Sequence, residues 1–192
     1  MGSWVRGVGM RILGVDPGSS ATGFGLIERE GSRVRHLRHG VLRPPAGTDL
    51  ALRLRFLYAG LLEILDESTP DVAVVERVFL ATNPRSALVL GQARGALMAS
   101  IGMSGIAVHE LAAREVKKSV TGTGAADKTQ IQSMVVRLLA LDAKPPTDAA
   151  DALALALTYA QAGPLAGLAL RGAGRRRSHR RALTQALAGR TL

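Results

Sequence analysis

Four carboxylates from distant parts of the chain are the residues best suited to chemistry. Asp16 lies in GVDPG, Glu76 in VAVVER, and Asp148 and Asp151 in PTDAADALALA. Each lies where a predicted strand or helix meets a loop. Acids gathered onto one patch repel one another unless a positive charge lies between them. The pattern therefore predicts a site for a divalent cation.

The four acids predict metal-assisted phosphoryl transfer. Oxygen ligands favour Mg²⁺, with Mn²⁺ as a substitute, over zinc. Two such ions per subunit, held roughly 3.5–4 Å apart by carboxylates, can activate a water on one side of a phosphodiester and stabilise the departing oxygen on the other. The chain has no cysteine, and its four histidines show no HxxxH spacing. Thiolate-based and histidine-based zinc sites are therefore not expected.

Two of the acids end apolar runs that are typical of buried strands. Asp16 closes RILGVD, and Glu76 follows four apolar residues. The carboxyl edge of parallel strands is where functional groups gather. Glu76 has a structural alternative, which is pairing with Arg77 or Arg94.

The other two acids share one face of the predicted last helix. Asp148 and Asp151 are three residues apart, which places their Cβ atoms roughly 5–6 Å from each other on a helix. That spacing suits two oxygens that reach one ion. The alternative is that they cap the first turn and interact with the helix dipole.

Two further residues are candidates for contacts with nucleic acid. Lys128 follows the GTG of residues 122–124 and could neutralise a phosphate, although a lysine at a helix start is also ordinary. Phe79 follows Glu76 by three residues in a chain with only three Phe. It could stack on an unpaired base or fill the core.

The order of predicted elements indicates an α/β fold. Apolar patterning predicts strands at 11–16, 23–30, 34–43, 72–76 and 106–110, with helices after 48, 83, 127 and 146. The segment with Lys117 and Lys118 is predicted to be a loop. A meander followed by βα units favours a mixed five-stranded sheet with helices on both faces.

Composition divides the chain into three parts. Residues 1–9 are predicted to be an extension, 10–162 one domain, and 163–192 a basic tail with seven arginines and no acid. Such a tail is either a solvated end or a DNA-contacting arm. Residues 152–170 are uncharged over nearly a bilayer span, but polar residues, Gly and Pro interrupt them, so we expect no membrane segment. No signal peptide is expected, and the lack of cysteine suits the cytoplasm.

Four segments together resemble the RuvC family of bacterial Holliday-junction resolvases, which belongs to the RNase H-like superfamily. They are GVDPGSSATGFG, VVERVFLATNPRSALVLGQARG, VKKSVTGTGAADKTQIQ and TDAADALALA, in that order. The resemblance covers about residues 10–162. It implies an RNase H-like fold and a homodimer that nicks two opposing strands of four-way junction DNA symmetrically during recombination and repair.

The resemblance also implies roles for individual residues. Asp16, Glu76, Asp148 and Asp151 would be the metal-binding catalytic acids. Lys117 and Lys128 would lie at DNA phosphates, and Phe79 would contact bases near the crossover. Members of the family also work with the RuvA–RuvB branch-migration complex.

Two other readings of the residues lead to different functions. A sugar-kinase-like or actin-like ATPase also begins with a strand, Asp-x-Gly and a phosphate loop, but it needs a second loop and a longer chain. A non-catalytic junction-binding protein would use the basic tail and the sheet, with the acids in structural roles. A binding surface gains nothing from four acids beside DNA, which favours the nuclease.

Overall fold

A computed structural model describes residues 9–77 and 83–162. In these ranges the strands are β1 (Met10–Asp16), β2 (Thr22–Glu30), β3 (Arg33–Leu42), β4 (Val72–Arg77) and β5 (Ala107–Ala112). The helices are α1 (Leu50–Ser68), α2 (Pro84–Ser104), α3 (Ala113–Thr121), α4 (Lys128–Leu139) and α5 (Thr147–Gln161).

The described strands form one mixed sheet in the order β3-β2-β1-β4-β5. The β1–β2 and β2–β3 pairs are antiparallel, whereas β1–β4 and β4–β5 are parallel. The first three strands are connected by short turns, and parallel pairing requires a crossover helix. The predicted mixed five-stranded sheet is confirmed.

Helices cover both faces of this sheet. The alternation of side chains along β1 sends Ile12 to one face and Leu13 to the other. Ile12 belongs to a core shared with α3, α4 and α5. Leu13 belongs to a second core shared with α1 and α2. The prediction of helices on both faces is therefore confirmed.

Glycines let α5 approach the sheet closely. A Cβ atom at Gly14 of β1 would overlap the backbone oxygen of Ala152, and one at Gly23 of β2 would overlap that of Asp148. Only a residue without a side chain permits a helix backbone at this distance. The start of α5 is thereby placed against the edge of the sheet where β1 ends.

The last helix is buried along most of its length, as expected. Eleven of its residues are buried, from Ala149 to Ala160 with Asp151 half-buried. Across residues 9–77 and 83–162, no helix combines the length and the apolar character that a bilayer crossing requires.

The prediction of a loop around Lys117 and Lys118 is wrong, because both residues lie in α3. A nine-residue helix with β-branched residues is marginal by itself. Val116 and Val120, four residues apart, are buried in the core that includes α5. Tertiary packing of this pair, rather than local propensity, stabilises the helix.

Three sequence predictions fall on segments outside the described residues. They are the extension at 1–9, of which only Gly9 is described, the tail at 163–192, and the position of Phe79. The domain boundaries and the role of Phe79 stay predictions.

Candidate active site at the carboxyl edge of the sheet

Asp16 is the last residue of β1 and Glu76 the last but one of β4, and both lie on the same face of the sheet. The β1–β4 register pairs Ile12 with Val72 and Gly14 with Val74. Two residues further along each strand come Asp16 and Glu76, which side-chain alternation directs toward the α5 face. Both are half-buried. The carboxyl edge of the sheet therefore presents two acids side by side.

The first turns of α5 bring Asp148 and Asp151 to the same edge. Gly23, which contacts the backbone of Asp148 closely, is the β2 partner of Asp16. Pro146 occupies the N-cap position of α5, and no side chain caps the helix by a hydrogen bond. Asp148 and Asp151 therefore do not act as side-chain caps, and both are left to face the sheet edge.

The electrostatic environment of Asp16 shows that the four acids converge. Burial and, next, the charge of Glu76 raise the pKa of Asp16 from 3.8 to about 8. The charge of Asp151, a hydrogen bond with the Glu76 side chain, and the charge of Asp148 act in the same direction. Asp16 therefore carries a proton at neutral pH when no cation offsets this repulsion.

The carboxyl of Asp151 is influenced both by the other acids and by two lysines. Burial is the largest effect, and it raises the pKa of the Asp151 carboxyl; the charges of Glu76 and Asp148 raise it further. The positive charges of Lys128 and Lys117 act in the opposite direction. Both predicted lysines are thus close enough to influence a predicted catalytic acid.

A cavity of about 270 Å³ connects these groups. Its lining includes Asp16, Glu76, Asp151, Lys117 and Lys128. A larger groove of about 760 Å³, between β3 and α1, contains none of the four acids. The smaller cavity is the better candidate for a reaction site because it combines converging acids with cations.

Asp148 does not line this cavity, and it contacts an arginine that sequence reasoning missed. Arg43, which directly follows β3, has its Nη2 atom 3.5 Å from Asp148 Oδ2. Nothing in the local sequence distinguishes Arg43 from the arginines within β3. Its contact with Asp148 could be predicted only from the sheet order, which places the end of β3 beside the start of α5.

The loop after Asp16 is held by two side chains. Arg53 of α1 donates from Nη2 to the backbone oxygen of Ser19 at 2.6 Å. Thr22, which is fully buried, donates its hydroxyl to the Gly18 backbone oxygen at 2.9 Å. These bonds restrict the loop that follows Asp16.

The structural alternative for Glu76 finds little support. Arg94 forms an ion pair with Glu110, and its Nε donates to the backbone oxygen of Glu76. Arg77 donates to the backbone oxygen of Glu110 at 3.5 Å. Both arginines contact Glu110 or main-chain oxygens, and the Glu76 side chain is directed toward the acid cluster.

The donor set suits a hard divalent cation. Within 9–77 and 83–162, no three His, Cys, Asp or Glu side chains already form a close metal-ligating group. The four acids nevertheless influence one another's charge, as the pKa of Asp16 shows. Carboxylate oxygens are the ligands that Mg²⁺ and Mn²⁺ prefer, and a cation among them would relieve their repulsion. The residues present therefore fit such an ion.

Comparison with known proteins gives consistent matches. A sequence profile described as crossover junction endodeoxyribonuclease RuvC matches residues 12–159. A Bordetella parapertussis protein with that name is 50% identical over 156 residues, covering 81% of this chain and 86% of the relative.

Two solved structures from Thermus thermophilus have the same fold. A RuvC structure is 32% identical with a TM-score of 0.71, and it covers 80% of this chain and 97% of the other. RuvC in complex with a Holliday junction substrate is 30% identical with a TM-score of 0.75, covering 81% and 96%. The architecture described above is thus the RNase H-like fold of these nucleases, and the chain belongs to the RuvC family of crossover junction endodeoxyribonucleases.

Proposed function

We propose that this protein resolves Holliday junctions by symmetrical, metal-dependent nicking of two opposing strands during recombination and repair. The observation that carries the proposal is the convergence of Asp16, Glu76 and Asp151 on one cavity with Lys117 and Lys128. The junction substrate in the complex of the Thermus thermophilus relative supports the choice of DNA structure.

In this proposal, Asp16, Glu76, Asp148 and Asp151 are the catalytic and metal-binding acids. Asp16 and Glu76 are placed by adjacent strands, and Asp148 and Asp151 by one helix face. Elements held by a packed core keep such groups in position, which reduces the reorganisation needed in the transition state. Lys117 and Lys128 are the phosphate-contacting residues on one side of the acids.

Membership of this family implies dependence on a divalent metal in general. We propose Mg²⁺ as the physiological ion, with Mn²⁺ as a substitute and two ions per subunit. Such ions, when bound, activate water and stabilise the departing oxygen. The raised pKa of Asp16 means that the acids release a proton as positive charge enters the site. Metal affinity should therefore increase as the pH rises toward 8.

We also propose that the active form is a homodimer. A four-way junction presents two equivalent strands, and two sites related by a two-fold axis match that symmetry. The partnership with the RuvA–RuvB complex rests on the family resemblance. Phe79 is assigned, on the same basis, to base contacts near the crossover.

The proposed nuclease domain is residues 10–162, which agrees with β1 beginning at Met10 and α5 ending at Gln161. Residues 1–9 are assigned as an extension and 163–192 as a basic tail. Removing 165–192 should weaken DNA binding and make it less sensitive to salt, with nicking retained.

The direct test compares a synthetic mobile four-way junction with a linear duplex of the same sequences, each with and without Mg²⁺. Paired nicks on opposing strands of the junction, lost without metal, are the expected result. Junction binding without any metal-dependent cut would support a non-catalytic junction-binding protein instead.

A further inference from the structure

Arg43 connects the edge strand β3 to the acid cluster. Its Nη2 atom lies 3.5 Å from Asp148 Oδ2. The strand register explains this contact, because Asp16 pairs with Gly23 and Gly23 pairs with Val41. The end of β3 therefore lies at the same sheet edge as the acids, two strands away from Asp16.

Structural stabilisation does not account for this ion pair. The Arg43 side chain is 63% exposed and that of Asp148 is 32% exposed. Ion pairs in contact with solvent contribute little to stability. The contact is also longer than a typical charge-assisted hydrogen bond of about 2.7–2.9 Å. Arg43 is thus held loosely, and a phosphate could replace Asp148 as its partner.

The position of Arg43 is complementary to that of the two active-site lysines. Lys117 lies on α3, which contacts β5 at one side of the sheet, and Lys128, the first residue of α4, lines the same cavity as Lys117. Arg43 directly follows β3, which is the outer strand on the opposite side of the sheet from β5. The central strands β1 and β4 carry Asp16 and Glu76 between them. The acid cluster is therefore flanked by positive charge on two sides.

A DNA strand that crosses this cluster needs cations on both sides. Carboxylates repel the phosphates next to the one being cleaved. A guanidinium carries five N–H donors in a planar fork that matches two phosphate oxygens. Arg43, beside Asp148, supplies a cation on the side of the cluster away from these lysines.

We propose that Arg43 is a DNA phosphate-binding residue of the active site, on the β3 side, opposite Lys117 and Lys128. On DNA binding, its guanidinium exchanges the Asp148 carboxylate for a backbone phosphate. The assignment rests on the proposed function, since it takes junction DNA as the ligand of this cleft.

The test measures binding to a four-way junction in EDTA over a series of salt concentrations. Arg43→Gln should weaken binding several-fold and reduce the slope of log K against log salt by about 0.7–0.9, which corresponds to one phosphate contact. Arg43→Lys should keep the slope, because it keeps the charge, and lose part of the affinity.

Arg38→Gln is the matched control. Arg38 lies on the same strand, is 52% exposed, and forms an ion pair with Glu67 at 2.6 Å, away from the four acids. For Arg38→Gln, the slope of log K against log salt should remain at the wild-type value. Asp148→Asn should strengthen junction binding, and it should do so less in the Arg43→Gln background, where no guanidinium is released.

A wild-type salt slope for Arg43→Gln would overturn the proposal, and a lowered Tm in that variant would then assign Arg43 a structural role. Equal losses of junction affinity and salt slope in Arg43→Gln and Arg38→Gln would also overturn it, because the net charge of the protein, rather than the position of Arg43, would then be responsible. These measurements need no metal and no cleavage. If the wild type binds the junction but never cuts it with Mg²⁺, the proposed function fails, while the slope still tests Arg43.

Discussion

Asp16 and Glu76 lie at the carboxyl ends of two adjacent parallel strands, and their side chains are directed to the same face of the sheet. Two ionised carboxylates at neighbouring positions repel each other, which favours the protonated form of Asp16. Burial, followed by the charge of Glu76 and the charges of the two other acids, raises the pKa of Asp16 to about 8. In the absence of a cation, the acid cluster therefore makes the folded protein sensitive to pH.

The first prediction concerns stability in EDTA as a function of pH. The folded state binds more protons than the unfolded state between the ordinary pKa of Asp16, 3.8, and its folded value of about 8. The free energy of unfolding should therefore fall as the pH rises through that range. Asp16→Asn should flatten this dependence and raise the Tm at pH 8. Thermal unfolding at pH 5, 6.5 and 8 measures both effects, and a wild-type Tm that rises steadily to pH 8 would contradict the account.

A second prediction tests the close packing of α5 on β2. Gly23→Ala places a Cβ atom against the backbone oxygen of Asp148. Helix and strand must separate, which should cost about 1–3 kcal/mol of unfolding free energy and should reduce nicking by displacing Asp148. Urea unfolding and a junction-cutting assay provide the measurements.

The control for this substitution is Gly102→Ala in α2, where a Cβ atom meets open space. Alanine is favoured over glycine inside a helix by about 0.5–1 kcal/mol, so this variant should be slightly more stable. Unchanged stability and activity of Gly23→Ala would show that α5 has room to move, contrary to the packing described.

Lys117 and Lys118 provide a matched pair on α3. Lys117 lines the acid-containing cavity, whereas Lys118 is exposed and does not. Lys117→Gln should lower the nicking rate at least about tenfold, because a phosphate over the acids loses a compensating charge. Lys118→Gln should have a much smaller effect. Equal rates for the two variants, measured at saturating Mg²⁺ on the same junction, would remove Lys117 from the site.

The role assigned to Phe79 can be separated from a role in the core. A base-stacking residue replaced by alanine should lose about 1–3 kcal/mol of junction-binding free energy with little change in Tm. A core phenylalanine replaced by alanine should instead lose about 3–5 kcal/mol of stability. Phe56→Ala, at a partly exposed position on α1, is the control for loss of an aromatic side chain.

Much of the fold follows from sequence pattern. The two buried strands, β1 and β4, carry acids at their carboxyl ends. The first three strands, joined by short turns, form the antiparallel half of the sheet. The helix α2 begins at Pro84 after Asn83, whose side chain caps it as its residue type predicts. The residue types and their spacing along the chain were sufficient to predict these elements.

The remainder depends on contacts between distant residues. The helix α3 is stabilised by packing of Val116 and Val120 onto other elements, which local periodicity does not reveal. Arg43 becomes part of the site only because β3 and α5 meet at one edge of the sheet. The rise in the pKa of Asp16 likewise depends on its burial and on the three other acids, which are close in space only in the folded protein.

The central claim is that four acids form one metal-dependent active site. The most direct measurement is the Mg²⁺-dependent nicking rate of a four-way junction by Asp16→Asn, Glu76→Gln, Asp148→Asn and Asp151→Asn, each with its junction affinity. Asp142→Asn, at an exposed acid in the loop before α5, is the control. We expect each of the four variants to lose at least about 100-fold in rate while it still binds the junction, because metal ions supply several kcal/mol of transition-state stabilisation. A wild-type rate in any one of the four would contradict the claim.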